Sequence, residues 1–112
     1  MQKKLKEAYH LEMDEAIRFY ELSQLDCAFH HLERAHILAQ RYIIPHTRCH
    51  WWMLKVGVKK RSLREVFGQL TRIIASVLFS RIWVPVGNTG GANVNPLKIM
   101  PIPEDLKKIL SK

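Results

Sequence analysis

Residues 62–78, SLREVFGQLTRIIASVL, decide the fold, because their apolar side chains return every three or four positions. That spacing places them on one face of an α-helix, since 3.6 residues complete a turn. Ser62 and Glu65 have the spacing of a capping box, which satisfies free backbone amides at a helix N-terminus. The segment therefore predicts a long helix with a buried apolar stripe: Leu63, Val66, Phe67, Leu70, Ile73, Ile74, Val77 and Leu78.

Two further helices are predicted ahead of it by the same criterion. Residues 4–23 repeat apolar side chains at helical spacing, with lysines and glutamates between them. Asp26 has the side chain of a helix cap, and a second helix is expected to follow it. This second helix carries a narrow seam of mostly small side chains, which favours close packing against its neighbours: Ala28, Leu32, Ala35 and Ala39.

A third helix is expected from about residue 46 to residue 59. Residues 42–45 interrupt the pattern, and a proline at position 45 is compatible with the first turn of a new helix. Trp51, Leu54 and Val58 follow one another at helical spacing. The sequence predicts that these three side chains form the apolar stripe of this helix.

The composition changes in residues 85–103, PVGNTGGANVNPLKIMPIP, which are rich in Gly, Asn and Pro and almost uncharged. Turn-forming residues argue against helix there, whereas the apolar residues among them indicate a segment packed against the body. The following residues, PEDLKKIL, have proline and acids first and lysines later, as a short helix does.

These elements predict an all-α fold and a single domain over residues 1–112. We expect four to five helices in antiparallel hairpins, with the Gly/Asn/Pro-rich segment ordered and non-helical. Ala28, Leu32 and Ala35 match the small, large, small spacing in the second helix of a tetratricopeptide repeat. Either a tetratricopeptide-like arrangement or a plain helical bundle satisfies the pattern.

The net charge of +8 is concentrated in the middle of the chain. Residues 42–84 hold eight Lys and Arg against one acid, whereas residues 1–41 hold six against seven. Such a patch attracts nucleic acid, anionic lipid or acidic protein, and it also keeps a protein in solution. Weak, nonspecific nucleic-acid binding is therefore a third-ranked function, carried by Lys59, Lys60, Arg61 and Arg64.

The sequence favours a cytoplasmic protein in a reducing compartment. The N-terminal residues lack the apolar run of a secretory signal, and no stretch approaches the ~20 apolar residues that span a bilayer. Two cysteines do not make a disulfide framework, so Cys27 and Cys49 are expected to be free thiols.

Histidine is the densest unusual feature, and all six histidines lie in the first half of the chain. His46, Cys49 and His50 share one helical face, as do Cys27, His30 and His31. Antiparallel packing of the second and third helices would bring His36 towards His46 and His50 and leave His31 more than a turn away. A cluster held by hydrogen bonds, with Glu33 nearby, is expected over the alternative of a metal site formed by His36, His46 and His50.

The chain resembles a family of small bacterial proteins known only as a domain of unknown function. The segments that carry the resemblance are HLERAHIL (31–38), GNTGGANV (87–94) and MPIPEDL (100–106), together with HTRCHWWMLKVG and GQLTR. The resemblance covers nearly the whole chain and implies the same fold without an established activity. It implies a set of recurring residues: His31, Glu33, His36, His46, His50, Trp51, Gln69, Asn88, Gly90, Asn93 and Pro101.

The preferred function is a noncatalytic binding or adaptor module, and the alternative is a metal- or small-ligand-binding protein or enzyme. No nucleophile lies beside a base, and no cofactor is required by the sequence. A protein or a small molecule is the expected partner, and a homo-oligomer is compatible with the sequence. GNTGG is expected to form turns, although its amides have the potential to bind an anion. The hypothetical ligand-binding residues are His31, Glu33, His36, His46, His50, Trp51, Asn88, Gly90 and Asn93.

Overall fold

The structure is a computed structural model, which describes residues 1–79 and 100–111, with side chains up to residue 75 in the first range. Over these residues it is all-helical and contains no strand, as predicted. In chain order the helices are α1 (Lys3–Glu21), α2 (Leu25–Ala39), α3 (Ile43–Lys60), α4 (Leu63–Phe79) and α5 (Glu104–Leu110).

The second helix organises the packing, because it contacts α1, α3 and α5, whereas α4 packs on α3. Its predicted seam of small residues is confirmed: Ala28, Ala35 and Ala39 have no solvent exposure. Side chains this small let two helix axes approach closely, so that larger residues of the neighbours fill the space between them. The larger side chains of this core are Tyr9 and Met13 from α1, Leu32 from α2, and Met53 and Val56 from α3.

The prediction that Trp51, Leu54 and Val58 form the buried apolar stripe of α3 is wrong. Trp51 and Val58 are 53% and 59% exposed. The helix instead buries its opposite side: His46, Cys49, His50, Met53, Val56 and Gly57. This face meets the alanine seam of α2, and the unbranched side chain of Met53 fills the core there. Trp52 packs edge-on against Tyr20, with ring centroids 5.4 Å apart.

Gly57 allows α4 to approach α3. A Cβ added at this position would lie 3.0 Å from Cβ of Glu65 and 3.4 Å from the backbone nitrogen of Val66. The capping interaction predicted at the start of α4 is present, with the backbone amide of Glu65 donating to Oγ of Ser62 at 3.3 Å. The predicted stripe is only partly buried, because Leu63 and Phe67 are 72% and 66% exposed.

Asp26 does not cap α2, contrary to the prediction. The helix begins one residue earlier, at Leu25, and Gln24 occupies the cap position without a side-chain hydrogen bond. Asp26 lies in the first turn, where a negative charge is favourable. Its carboxylate accepts a hydrogen bond from Nζ of Lys60 at 2.7 Å, which connects α2 to the end of α3.

The C-terminal helix is anchored on α1 and α2 by one buried side chain and one ion-pair network. Leu106 is 1% exposed and packs in a second cluster with Leu5, Ile37 and Leu38. The guanidinium of Arg34 donates to Glu12 of α1 at 2.9 Å and also to Asp105 of α5. Because one planar guanidinium donates to both carboxylates, it joins α1, α2 and α5 in a defined relative orientation.

The predicted non-helical segment lies mostly outside the described residues. Only residues 100–103 are described, and Ile102 among them packs against the second cluster. Asn88, Gly90 and Asn93 also lie outside the described residues. None of the helices described is long and apolar enough to cross a membrane.

We predict that Ala35→Leu lowers the free energy of unfolding by about 1–3 kcal/mol, because the seam has no room for three more carbons. Ala75→Leu is the matched control, since Ala75 is exposed on α4. Urea denaturation of both variants measures the difference. Equal losses in the two variants would show that the α2 seam is not tightly packed.

Candidate functional site

Two helices supply the three histidines of the site. His36 lies in the last turn of α2, while His46 and His50 lie one turn apart on α3. Three residues join the helices, and the amide of Tyr42 donates to the carbonyl of Ala39 at 2.9 Å within this turn. The short connection brings the end of α2 beside the start of α3, and the predicted approach of His36 to His46 and His50 is confirmed.

The three imidazole rings form a nearly equilateral triangle. Their centroids are 4.7 Å apart for His36 and His46, 4.8 Å for His36 and His50, and 4.7 Å for His46 and His50. The Nε2 atom of His46 lies 2.9 Å from Nε2 of His36 and 3.0 Å from Nε2 of His50. Nε2 of His46 therefore faces the Nε2 atoms of both other rings, and one ligand nitrogen from each of the three rings lies within 4.8 Å of the other two.

All three rings are removed from solvent, with exposures of 2% for His36, 9% for His46 and 2% for His50. Burial lowers the pKa of His46 to about 4, since a cationic ring loses its hydration. Burial and then the neighbouring His46 lower the pKa of His50 to about 3. Both rings are thus uncharged at neutral pH.

A glutamine on α4 fixes the protonation pattern of His50. Nδ1 of His50 lies 2.5 Å from Oε1 of Gln69, while Nε2 of Gln69 donates to Oε1 of Glu65 at 2.8 Å. The carboxylate of Glu65 accepts and does not donate, which orients the amide with its oxygen towards His50. Nδ1 of His50 must then carry the proton, and Nε2 of the uncharged ring presents its lone pair to the centre.

The buried thiol of Cys49 lies on the same face of α3 but is not part of the histidine group. Its Sγ atom is 4.0 Å from Sδ of Met13, and burial raises the pKa of this thiol to about 12. The neighbouring Tyr9 hydroxyl donates to the carbonyl of Pro45 at 3.2 Å. The predicted free thiols are confirmed, with Cys27 exposed and Cys49 buried.

Three other predicted ligand-binding residues are not part of the group of close ligand atoms. His31 contacts Glu12 with Nδ1 at 3.0 Å and stacks on Phe19. Glu33 lines a cleft of about 460 Å³ between α2, α3 and the start of α4. Trp51 is exposed on the outer side of α3. Of the predicted ligand-binding residues that the structure describes, His36, His46 and His50 form the group of close ligand atoms.

The basic residues proposed for nucleic-acid binding already contact the protein in part. Lys59 donates to the carbonyl of Tyr20 at 2.9 Å, and Lys60 pairs with Asp26. Arg61 ends α3 in the left-handed conformation with φ of 60°. Arg64 lines the same cleft as Glu33. These contacts make Lys59 and Lys60 less available to phosphate groups.

Gln69 is among the recurring residues that the family resemblance implies, but reasoning from residue patterns gave it no role in the histidine group. It lies on α4 between apolar neighbours of the predicted stripe and is fully buried. A polar side chain inside an apolar stripe requires a hydrogen-bond partner, and that was the available signal. The identity of the partner, His50, depends on the packing of α4 on α3.

We predict that Gln69→Leu lowers the free energy of unfolding by about 1–3 kcal/mol, because the buried Nδ1–H of His50 loses its acceptor. Gln24→Leu is the matched control, since Gln24 is exposed. Thermal and urea denaturation measure both variants. No difference between them would show that the contact between Gln69 and His50 does not stabilise the protein.

Comparison with known proteins places the chain in a family without assigning an activity. No curated protein and no solved structure matches the chain. The family model described as "Protein of unknown function (DUF3703)" matches residues 3–110, which include all three histidines and Gln69. The chain therefore belongs to the DUF3703 family.

Proposed function

We propose that the protein is a noncatalytic binding module, built from helical hairpins, whose ligand is one transition-metal ion held by His36, His46 and His50. The observation that supports this proposal is a group of three buried imidazoles whose ligand nitrogens lie within 4.8 Å of one another. Imidazole nitrogen is a donor that zinc, copper, nickel and iron accept. The sequence pattern alone favoured a hydrogen-bonded cluster, and the geometry favours the metal.

A hydrogen-bonded arrangement of the triangle requires one proton to serve two neighbouring nitrogens. An imidazole nitrogen has one position in the plane of its ring, which holds either a proton or a lone pair. His50 presents a lone pair, so the proton of the contact with His46 must belong to His46. The same N–H of His46 is then shared with Nε2 of His36, which lies equally near. A metal ion would take the place of this shared proton and accept one lone pair from each ring.

The dimensions of the triangle suit an ion after a small expansion. With metal–nitrogen bonds of about 2.0–2.1 Å and tetrahedral angles, the ring centroids of three ligands lie roughly 5.2 Å apart. The observed separations are 4.7–4.8 Å. Each pair of rings would therefore move apart by roughly half an ångström, a shift that rotation of the side chains supplies.

Gln69, the hydrogen-bond partner of His50, lies where a residue that orients a metal ligand without touching the metal would lie. A histidine that binds a metal through one nitrogen commonly donates its other N–H to a fixed acceptor, which orients the ring. Gln69 is such an acceptor, and Glu65 holds Gln69 in turn. This chain of two hydrogen bonds prepares His50 for metal binding before any ion arrives.

Burial argues for holding an ion and against turnover. A catalytic metal keeps an open position that substrate and water reach. His46 is the most exposed of the three ligands and is only 9% exposed. The centre therefore supports storage, delivery or sensing of a metal ion by the helical module.

The test is metal binding by protein purified without a His tag and stripped with a chelator. We expect one ion per chain when Zn²⁺, Co²⁺, Ni²⁺, Cu²⁺ or reduced copper is supplied, measured by elemental analysis after desalting. At a free-ion concentration 100 times the dissociation constant, binding stabilises the fold by about 2.7 kcal/mol. His36→Ala and His46→Ala should lose both the ion and the stabilisation.

The matched controls are His10→Ala and His30→Ala, which remove exposed histidines. Both should retain one ion per chain, because their rings lie outside the triangle. Circular dichroism establishes that each variant is folded. Failure of the unmodified chain to bind any of the ions, or equal binding by the His36→Ala variant, would refute the proposed function.

A further inference from the structure

We infer that the ion held by His36, His46 and His50 is monovalent copper rather than a divalent ion. This inference rests on the proposed function and specifies its ligand. It follows from three features of the centre: the charge of its donors, their number and the dryness of their surroundings. Each feature is set by residues already located in the structure.

The donors contribute no negative charge. Among the described residues, the group that converges on the centre contains three histidines and no carboxylate or thiolate. A divalent ion would therefore keep its full double charge in a buried site. The cost of burying an ion rises with the square of its charge, so a divalent ion costs about four times as much as a monovalent one. Uncharged imidazole donors therefore favour Cu⁺.

The nearest charged groups do not reverse this preference. The guanidinium of Arg72 acts on His50 in the direction that opposes positive charge. The carboxylate of Glu65 is separated from His50 by the amide of Gln69. Asp105 and Glu12 are engaged with Arg34, near α5. Among the described residues, the cation of Arg72 therefore acts on the centre. The carboxylate of Glu65 reaches His50 through the amide of Gln69.

The number and arrangement of the donors also match monovalent copper. Zn²⁺ in proteins is almost always four-coordinate, so it would need a further ligand here. Cu⁺ has a filled d shell and is stable with two or three ligands. The rings form a triangle with sides of 4.7, 4.8 and 4.7 Å, so three donors are available to one ion, which is enough for Cu⁺ without a fourth ligand. Imidazole is an accepted copper ligand.

The apolar surroundings stabilise the reduced state. Ala35 adjoins His36 in sequence, Ala39 lies about one turn after His36 and Met53 about one turn after His50, and each of the three is fully buried. Such a shell excludes water and anions that would stabilise a more highly charged ion. Cys49 does not supply a thiolate, because its sulfur is directed towards Met13.

The experiment compares Cu⁺ and Zn²⁺ affinities on the full chain carrying Cys27→Ser, since the exposed Cys27 thiol would otherwise bind Cu⁺ at the surface. Cu⁺ is kept reduced without oxygen and titrated against a Cu⁺-specific chelator, and Zn²⁺ against a zinc-specific chelator. We expect one Cu⁺ per chain with an affinity at least about 100-fold above that for Zn²⁺. His50→Ala should abolish this binding, whereas His10→Ala should not change it.

A second measurement does not depend on the folding of variants. X-ray absorption at the copper edge of the loaded Cys27→Ser chain should show three imidazole nitrogens and no sulfur. Sulfur ligands, or a preference for Zn²⁺, Co²⁺ or Ni²⁺ at the same histidines, would overturn the monovalent assignment and leave the proposed metal site intact. Absence of binding by every ion would overturn both.

Discussion

Close packing along the small residues of α2 is the constraint on which the rest of the structure depends. Ala28, Ala35 and Ala39 are fully buried, and α2 contacts α1, α3 and α5. With side chains of this size the neighbouring helices approach closely, and the core is filled from α1 and α3. His36 directly follows Ala35, so the same packing that places the seam also determines where its ring lies.

That packing buries the polar group formed by His36, His46 and His50. The buried group lowers the stability of the fold unless each nitrogen has a hydrogen-bond partner. A buried polar group without a partner costs about 1–3 kcal/mol. Gln69 meets this need for Nδ1 of His50, and Nε2 of His46 lies within hydrogen-bond distance of Nε2 of both His36 and His50. An apolar core would have been the simpler solution at these positions. Three imidazoles at these positions fit a site that binds an ion, because the free energy of metal binding would add to the stability of the fold.

Sequence reasoning succeeded where periodicity and short connections decide the outcome. The helical class followed from apolar spacing, and the meeting of His36 with His46 followed from a turn too short to separate two helix ends. It failed on α3, where hydrophobicity pointed to Trp51 and Val58 and the buried side contains His46 and His50. Which face of α3 meets the alanine seam of α2 depends on how the two helices pack, and hydrophobicity along one helix does not report that packing.

The sequence by itself determined the helices, the small-residue seam and the spacing that puts His46 and His50 on one face, because these depend on contacts within a few residues. Only the tertiary structure decided which face of α3 is buried and that Gln69 of α4 orients His50, because both depend on how close separate helices come. The separation of the helices also left Glu33 in the cleft and His31 beside Glu12, outside the centre. The helical period of 3.6 residues determines on which face of its helix a side chain lies, and the packing between helices determines which residues that side chain contacts.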